Sequence, residues 1–193
     1  MKYHKISQIA KGWSSYIFLV KNKKGKEFVL KEVREKSPRK DLANREGKML
    51  LLANSVSVGP KVKEINFKEN FVVMEYIKGQ KLFDWVLSPN FDEEVSTLEL
   101  YEFVKELYRQ LNKLERIHLS HNQLQIGKNI LVKRTTNSKT HSAKYIPVII
   151  DFEKSTIKEN NHTKNIGQIE AMLFFNPNGA IAKKVREKLN LTI

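Results

Sequence analysis

The chain has no cysteine. Disulfides and thiolate-bound metals are thereby excluded, and the composition suits a reducing, cytoplasmic setting. It also has no apolar run near the ~20 residues that a bilayer-spanning helix needs. The opening Met1-Lys2-Tyr3-His4-Lys5 lacks the hydrophobic stretch of a signal peptide, so no membrane attachment is expected. Negative charge is scarce: 21 Asp and Glu stand against 35 Lys and Arg, a net charge of +14 and a pI near 9.8. The cations recur along the chain, in Lys21–Lys26, Lys31–Lys40, Lys61–Lys68, Lys128–Lys144 and Lys183–Lys188. Such a surface attracts polyanions: RNA or a ribonucleoprotein, nucleotides, or acidic proteins. A lysine-rich habit serving only solubility or thermal adaptation is the other reading. With 193 residues, 40% hydrophobic and 29% charged, the chain suffices for one sizeable core or for two small lobes sharing a cleft.

The pattern from Tyr3 to Val33 predicts a meander. Tyr3–Ala10 reads as a weak strand and Tyr16–Val20 as a strong one, rich in β-prone residues. A polar hairpin turn at Asn22–Lys26 leads to a third strand, Glu27–Val33. The turn Lys11-Gly12-Trp13-Ser14-Ser15 carries one glycine and two hydroxyls. It is either an ordinary hairpin turn or a flexible one whose free N–H groups fold over phosphates. Trp13 either covers a nucleotide or packs on the sheet.

Lys31 lies on the strand face that also carries Val29 and Val33, where an ammonium must snorkel out or meet an anion. The helix expected over Asp41–Asn54 supplies a candidate. Glu46 falls within its apolar stripe of Leu42, Met49, Leu50 and Ala53. Each charge is costly to bury alone, so the two are expected to pair; a solvated helix edge is the alternative for Glu46.

Strands follow at Val62–Asn66 and Phe67–Ile77, and Gly79 reads as a hinge. Leu82–Leu87 is helical, with Trp85 in the core. Leu98, Tyr101, Val104, Leu107/Tyr108, Leu111 and Leu114 predict a long amphipathic helix whose aromatics are core. A polar loop, Ile117–Asn129, feeds a strand at Ile130–Arg134, and Thr135–Lys144 links it to Tyr145–Ile150 as a hairpin. His4, His118, His141 and His162 have no metal-ligand spacing. The tail offers helices at Asn165–Phe174 and Ala180–Leu189.

The run Pro147-Val148-Ile149-Ile150-Asp151-Phe152-Glu153 reads as a buried strand ending in a carboxylate. Asp151 is either a turn or capping residue or a magnesium ligand facing a nucleotide. Asn129 precedes one strand of the hairpin and Asp151 ends the other, so two oxygen donors would meet beside a cleft.

In this order the parts resemble the protein-kinase-like fold, especially small atypical kinases such as the RIO kinases and the kinase subunit of the KEOPS complex. The resemblance implies an α+β, bilobal architecture. Residues 1–77 would be an antiparallel amino-terminal lobe with one helix, and 78–193 a reduced, mainly helical carboxy-terminal lobe. It implies ATP and magnesium as ligands. Gly12, Ser14 and Ser15 would cover the phosphates, Lys31 would hold them, and Glu46 would pair with Lys31. Glu75, Tyr76 and Ile77 would present backbone to adenine, while Asn129 and Asp151 would hold the metal. His121 matches the histidine that opens the catalytic loop.

The chain departs from that pattern where the catalytic aspartate is expected, because Gln123 stands there and cannot accept a proton at neutral pH. The loop from Gln123 to Asn129 is one residue longer than the kinase motif. Glu153 replaces the glycine after Asp151-Phe152, and no Ala-Pro-Glu segment follows, which implies a reduced peptide platform. The expected activity is an atypical ATP-dependent phosphotransferase acting on Ser/Thr of a protein or on itself. The alternative is a pseudokinase that holds nucleotide and docks on RNA or a ribonucleoprotein. A small-molecule kinase ranks last.

Overall fold

The computed structural model describes residues 2–37, 40–136, 143–159 and 164–192. The chain divides into two compact units, Met1–Ile77 with Asp151–Ser155, and Lys78–Ile150 with Thr156–Ile193.

Among the described residues, the first unit is an antiparallel five-stranded sheet with one α-helix and one 3-10 turn. Its strands are β1 (Tyr3–Lys11), β2 (Ser15–Asn22), β3 (Glu27–Val33), β4 (Val62–Asn66) and β5 (Phe71–Glu75), in the order β1-β2-β3-β5-β4. The β2–β3 hairpin closes because the Asn22 side chain accepts the N–H groups of Lys24 and Lys26 at 2.9 and 3.0 Å, with Gly25 at φ 76°. One face of the sheet is a core cluster of Val20, Phe28, Leu30 and Val73, with Tyr3, Phe18 and Phe71 packed on it. The pleat turns Lys31 to the opposite face.

Helix α1 (Leu42–Ser55) packs on β4 and β5. Gly47 allows that approach: a Cβ there would lie 2.9 Å from Ile65. Asp41, beside the helix start, makes no side-chain cap. Asn70 does that work from the β4–β5 turn, its Oδ1 accepting the Ala43 N–H at 2.8 Å. The same turn explains why β5 begins at Phe71 and not at Phe67. Asn66 accepts the Glu69 N–H at 2.8 Å and Asn70 takes φ 54°, which bends residues 67–70 out of the strand.

The second unit holds α2 (Leu82–Val86), α3 (Phe91–Glu94), α4 (Thr97–Arg116), α5 (Lys164–Glu170) and α6 (Ala180–Leu189), with a π turn at Ala171–Phe175. Its strands are β6 (Gln80–Lys81), β7 (Leu119–Ser120), β8 (Ile130–Thr136), β9 (Ala143–Ile149) and β10 (Thr156–Ile157). β6, β8 and β9 form one small sheet, β7 and β10 another. Gly79 answers to space as well as to any hinge: a Cβ there would lie 2.6 Å from the Val132 carbonyl oxygen.

Helix α4 starts on a capping box between Ser96 and Glu99. Its buried stripe is Leu100, Phe103, Leu107, Leu111 and Leu114, so the expected stripe is rotated at its start. Leu98 and Tyr101 are exposed, and the aromatic in the core is Phe103, tilted against Trp85 at 4.9 Å. The expected buried run 147–150 alternates instead, with Tyr145, Pro147 and Ile149 inward; β9 is an edge strand, where a proline costs no ladder bond. Residues 137–142 of the expected Thr135–Lys144 connection, including His141, lie outside the described residues, as does His162.

Candidate functional site

In the first unit three acidic side chains surround one ammonium. Lys31 reaches from β3, with 5% of the residue exposed, and pairs with Glu46 of α1, 1% exposed. Its Nζ donates to Asp151 Oδ1 at 2.8 Å and lies 3.8 Å from Glu153 Oε2. The polar residue in each apolar stripe is therefore the other's counter-ion, and Glu46 is not on a solvated edge.

Asp151 and Glu153 reach the same ammonium from the 3-10 turn Phe152–Lys154, which packs on α1. Asp151 takes φ 65°, a left-handed conformation uncommon for a non-glycine residue and frequent at functional positions. It makes no side-chain cap on that turn; its carboxylate is on Lys31 and 37% exposed, the accessible member of the group. The strip 151–155, expected with residues 78–193, packs with the first unit.

Burial alone would lower the Lys31 pKa, but Glu46 and Asp151 outweigh it and hold the ammonium charged, above its ordinary range. Burial pushes the Glu46 carboxyl up to about 7, with Asp151 and Glu153 adding repulsion and Lys31 opposing. Of the three acids around Lys31, Glu46 is the most buried, and its shift is upward.

The Gly12–Ser15 turn closes on a Gly12 N–H to Ser15 carbonyl bond of 2.8 Å. Arg34 Nη1 donates to the Gly12 and Trp13 carbonyls at 3.1 Å each, and the Arg34 N–H donates to the Ser14 carbonyl at 2.9 Å. The Ser14 hydroxyl donates to Glu153 Oε2 at 2.7 Å. The turn, expected either as an ordinary hairpin turn or as a flexible one, is thus pinned through its carbonyls and the Ser14 hydroxyl. Gly12 does not use a glycine's freedom, since a Cβ would meet nothing closer than 3.5 Å. Ser14 and Ser15 are buried and Trp13 is exposed, so Trp13 is not part of a core. Glu75 ends β5, its N–H donating to the Lys61 carbonyl at 2.8 Å, and Tyr76 and Ile77 follow beyond the strand.

In the second unit, the loop 119–129 is braced by polar groups. His121, fully buried, donates through Nε2–H to the Ile150 carbonyl at 2.8 Å. Asn165 of α5 accepts the His121 N–H and donates to the Leu119 carbonyl, both at 2.8 Å. One turn on, Gln168 accepts the Leu124 N–H at 2.9 Å. Gln123 is half-buried, and its carbonyl accepts from Asn129 Nδ2 at 3.0 Å. The Ile150 N–H donates to the Asn129 carbonyl at 2.9 Å, which fixes Asn129 against the end of β9. Sequence reasoning missed Asn165 and Gln168. The available signal was an asparagine on the buried face of a helix, four residues before the buried Ile169.

One oxygen from each of Glu46, Asp151 and Glu153 lies within 4.8 Å of the others. An all-oxygen, partly solvent-reaching donor set of this kind fits a hard cation such as magnesium. Among the described residues no helix is long and apolar enough to cross a membrane.

No family model matches this sequence, and no curated protein matches it. Solved structures do. The chain is similar to the Rio2 kinase of Chaetomium thermophilum, solved as an ADP/Mg2+-phosphoaspartate complex, with TM-score 0.66 and 18% identity over 97% of this chain and 62% of that one. It is also similar to the kinase PK-1 of the Cydia pomonella granulovirus, with TM-score 0.61 and 21% identity over 82% of this chain and 56% of that one. The chain spans less than two thirds of either kinase's length. Its fold is protein-kinase-like and α+β in class.

Proposed function

We propose that the chain is an atypical ATP-dependent phosphotransferase, taking phosphate from Mg-ATP to a Ser/Thr hydroxyl of a protein or of the chain itself. The observation that carries this reading is the buried Lys31 ammonium held at once by Glu46 and Asp151 within a protein-kinase-like fold. Residues 1–77 carry the phosphate-covering turn, and 78–193 carry the catalytic-type loop and the metal-binding aspartate. Lys31 holds phosphate oxygens and Glu46 fixes the direction of its ammonium. Gly12, Ser14 and Ser15 cover the phosphates, and the backbone of Glu75, Tyr76 and Ile77 holds adenine. Asp151 and Asn129 hold magnesium, which when bound neutralises phosphate charge. Gln123 orients the acceptor hydroxyl. Without a carboxylate there, the general-base contribution of roughly 10²–10⁴-fold is absent. Positioning and charge neutralisation carry the transfer through a loose transition state.

Transfer of labelled phosphate from ATP tests the reading. Wild type labels a protein acceptor or itself, and Asp151→Asn, melting as wild type does, does not. Equal labelling by Asp151→Asn contradicts the mechanism. Gln123 and the net charge of +14 favour a second reading, a nucleotide-holding pseudokinase that docks on RNA. Thermal stabilisation by Mg-ATP with no transfer at all selects it.

A further inference from the structure

Arg34 has no part in the reading above, yet it holds much of the turn that would cover phosphates. Its Nη1 donates to the Gly12 and Trp13 carbonyls at 3.1 Å each, and its backbone N–H donates to the Ser14 carbonyl at 2.9 Å. Three successive carbonyl oxygens are thus taken up by one residue. In a trans peptide the N–H that follows a carbonyl points the opposite way, so the N–H groups of Trp13, Ser14 and Ser15 face away from those donors. The distinction matters to a phosphate, which carbonyl oxygens repel and backbone N–H groups attract. The guanidinium stands 5.6 Å from the Tyr16 ring centroid, and its Nε is buried with no acceptor among the described residues. A stranded donor is destabilising, so stability alone does not account for this placement; the hold on two neighbouring carbonyls does. Arg34 follows directly on β3, three residues after Lys31, so one strand sets both the cation and the clamp.

We propose that Arg34 is a positioning residue for phosphate binding: by holding the carbonyls of Gly12, Trp13 and Ser14, it turns the N–H side of the 12–15 turn to a polyphosphate. The proposal rests on the phosphate-covering role given to that turn in the proposed function. Arg34 acts through the backbone and touches no phosphate itself. Its planar fork, not its charge, is the working feature. One nitrogen with two in-plane donors spans two adjacent carbonyls, which a lysine ammonium on a shorter stem does not reproduce.

The test is calorimetric titration of Mg-ATP, and of adenosine as the phosphate-free control, into wild type, Arg34→Lys and Arg34→Met. Exchange of the Gly12 amide is followed in each protein without ligand, and melting curves establish that each is folded. Should Arg34→Met unfold, Arg34→Lys carries the test alone. Both variants are expected to bind Mg-ATP about tenfold more weakly than wild type and to bind adenosine as wild type does. The Gly12 amide, which closes the turn on the Ser15 carbonyl, is expected to exchange at least about tenfold faster in both. Arg34→Lys binding Mg-ATP as tightly as wild type would reveal a charge effect and overturn the role. Unchanged Gly12 exchange in both variants overturns it too, as does an equal loss for adenosine, which marks a structural residue. Wild type binding neither ligand overturns the nucleotide reading and this role together. Wild type binding Mg-ATP, with both variants unchanged, overturns the role alone.

Discussion

Glu46 shows how one residue's surroundings become a property of the whole protein. Its carboxyl is pushed from an ordinary 4.5 up to about 7, burial being the largest cause. Below about pH 4.5 it is protonated folded or unfolded, and the folded state has its full advantage. Between about 4.5 and about 7 the unfolded chain releases this proton while the folded chain keeps it, so stability falls as pH rises. The expected loss from this group is about 3 kcal/mol across that window. Urea denaturation at pH 5 and pH 7 checks it: wild type loses stability over the interval, and Glu46→Gln shows a flatter profile. Lys31 is the second residue-scale case. Lys31→Met removes the cation paired with buried Glu46, a loss of about 3–5 kcal/mol by analogy with broken buried pairs. That variant is expected to melt well below wild type in a thermal scan.

At the scale of elements, the buried asparagine of α5 is the point at which to test the loop 119–129. Asn165→Ala strands the His121 N–H and the Leu119 carbonyl, each costing on the order of 1–3 kcal/mol. The expected outcome is a lowered urea midpoint, with exchange protection lost first at His121 and Leu124. Protection unchanged at both amides would show that α5 does not brace the loop. These elements also show what was legible beforehand. A charged residue in an apolar stripe is readable because burial without a partner is expensive, and that logic found Lys31 and Glu46. It applied equally to Asn165 and was not used there, since a neutral amide stands out less than a charge. The start of α4 was misread because Leu98 and Leu100 are both apolar and one turn of helix cannot decide between them; packing of Phe103 on Trp85 does. Pinning of the 12–15 turn was not legible, because it depends on Arg34 and Glu153, which are near it only in the folded chain.

For the whole molecule, the relevant quantity is the excess of 35 basic over 21 acidic residues. If that charge serves RNA docking, association must be driven by counterion release. Binding of single-stranded RNA is then expected to weaken by at least about tenfold between about 50 and about 200 mM salt. Binding insensitive to salt would assign the lysines to solubility. The chain has a protein-kinase-like fold, and in the proposed function the Lys31 cluster is what would hold phosphate. The most direct measurement is calorimetric titration of Mg-ATP into wild type and Asp151→Asn, the variant that keeps Lys31 paired with Glu46. Wild type is expected to bind with a single site, and Asp151→Asn to bind at least about tenfold more weakly, the loss of one charged partner. No heat of binding in wild type, or equal affinity in Asp151→Asn, would contradict the account.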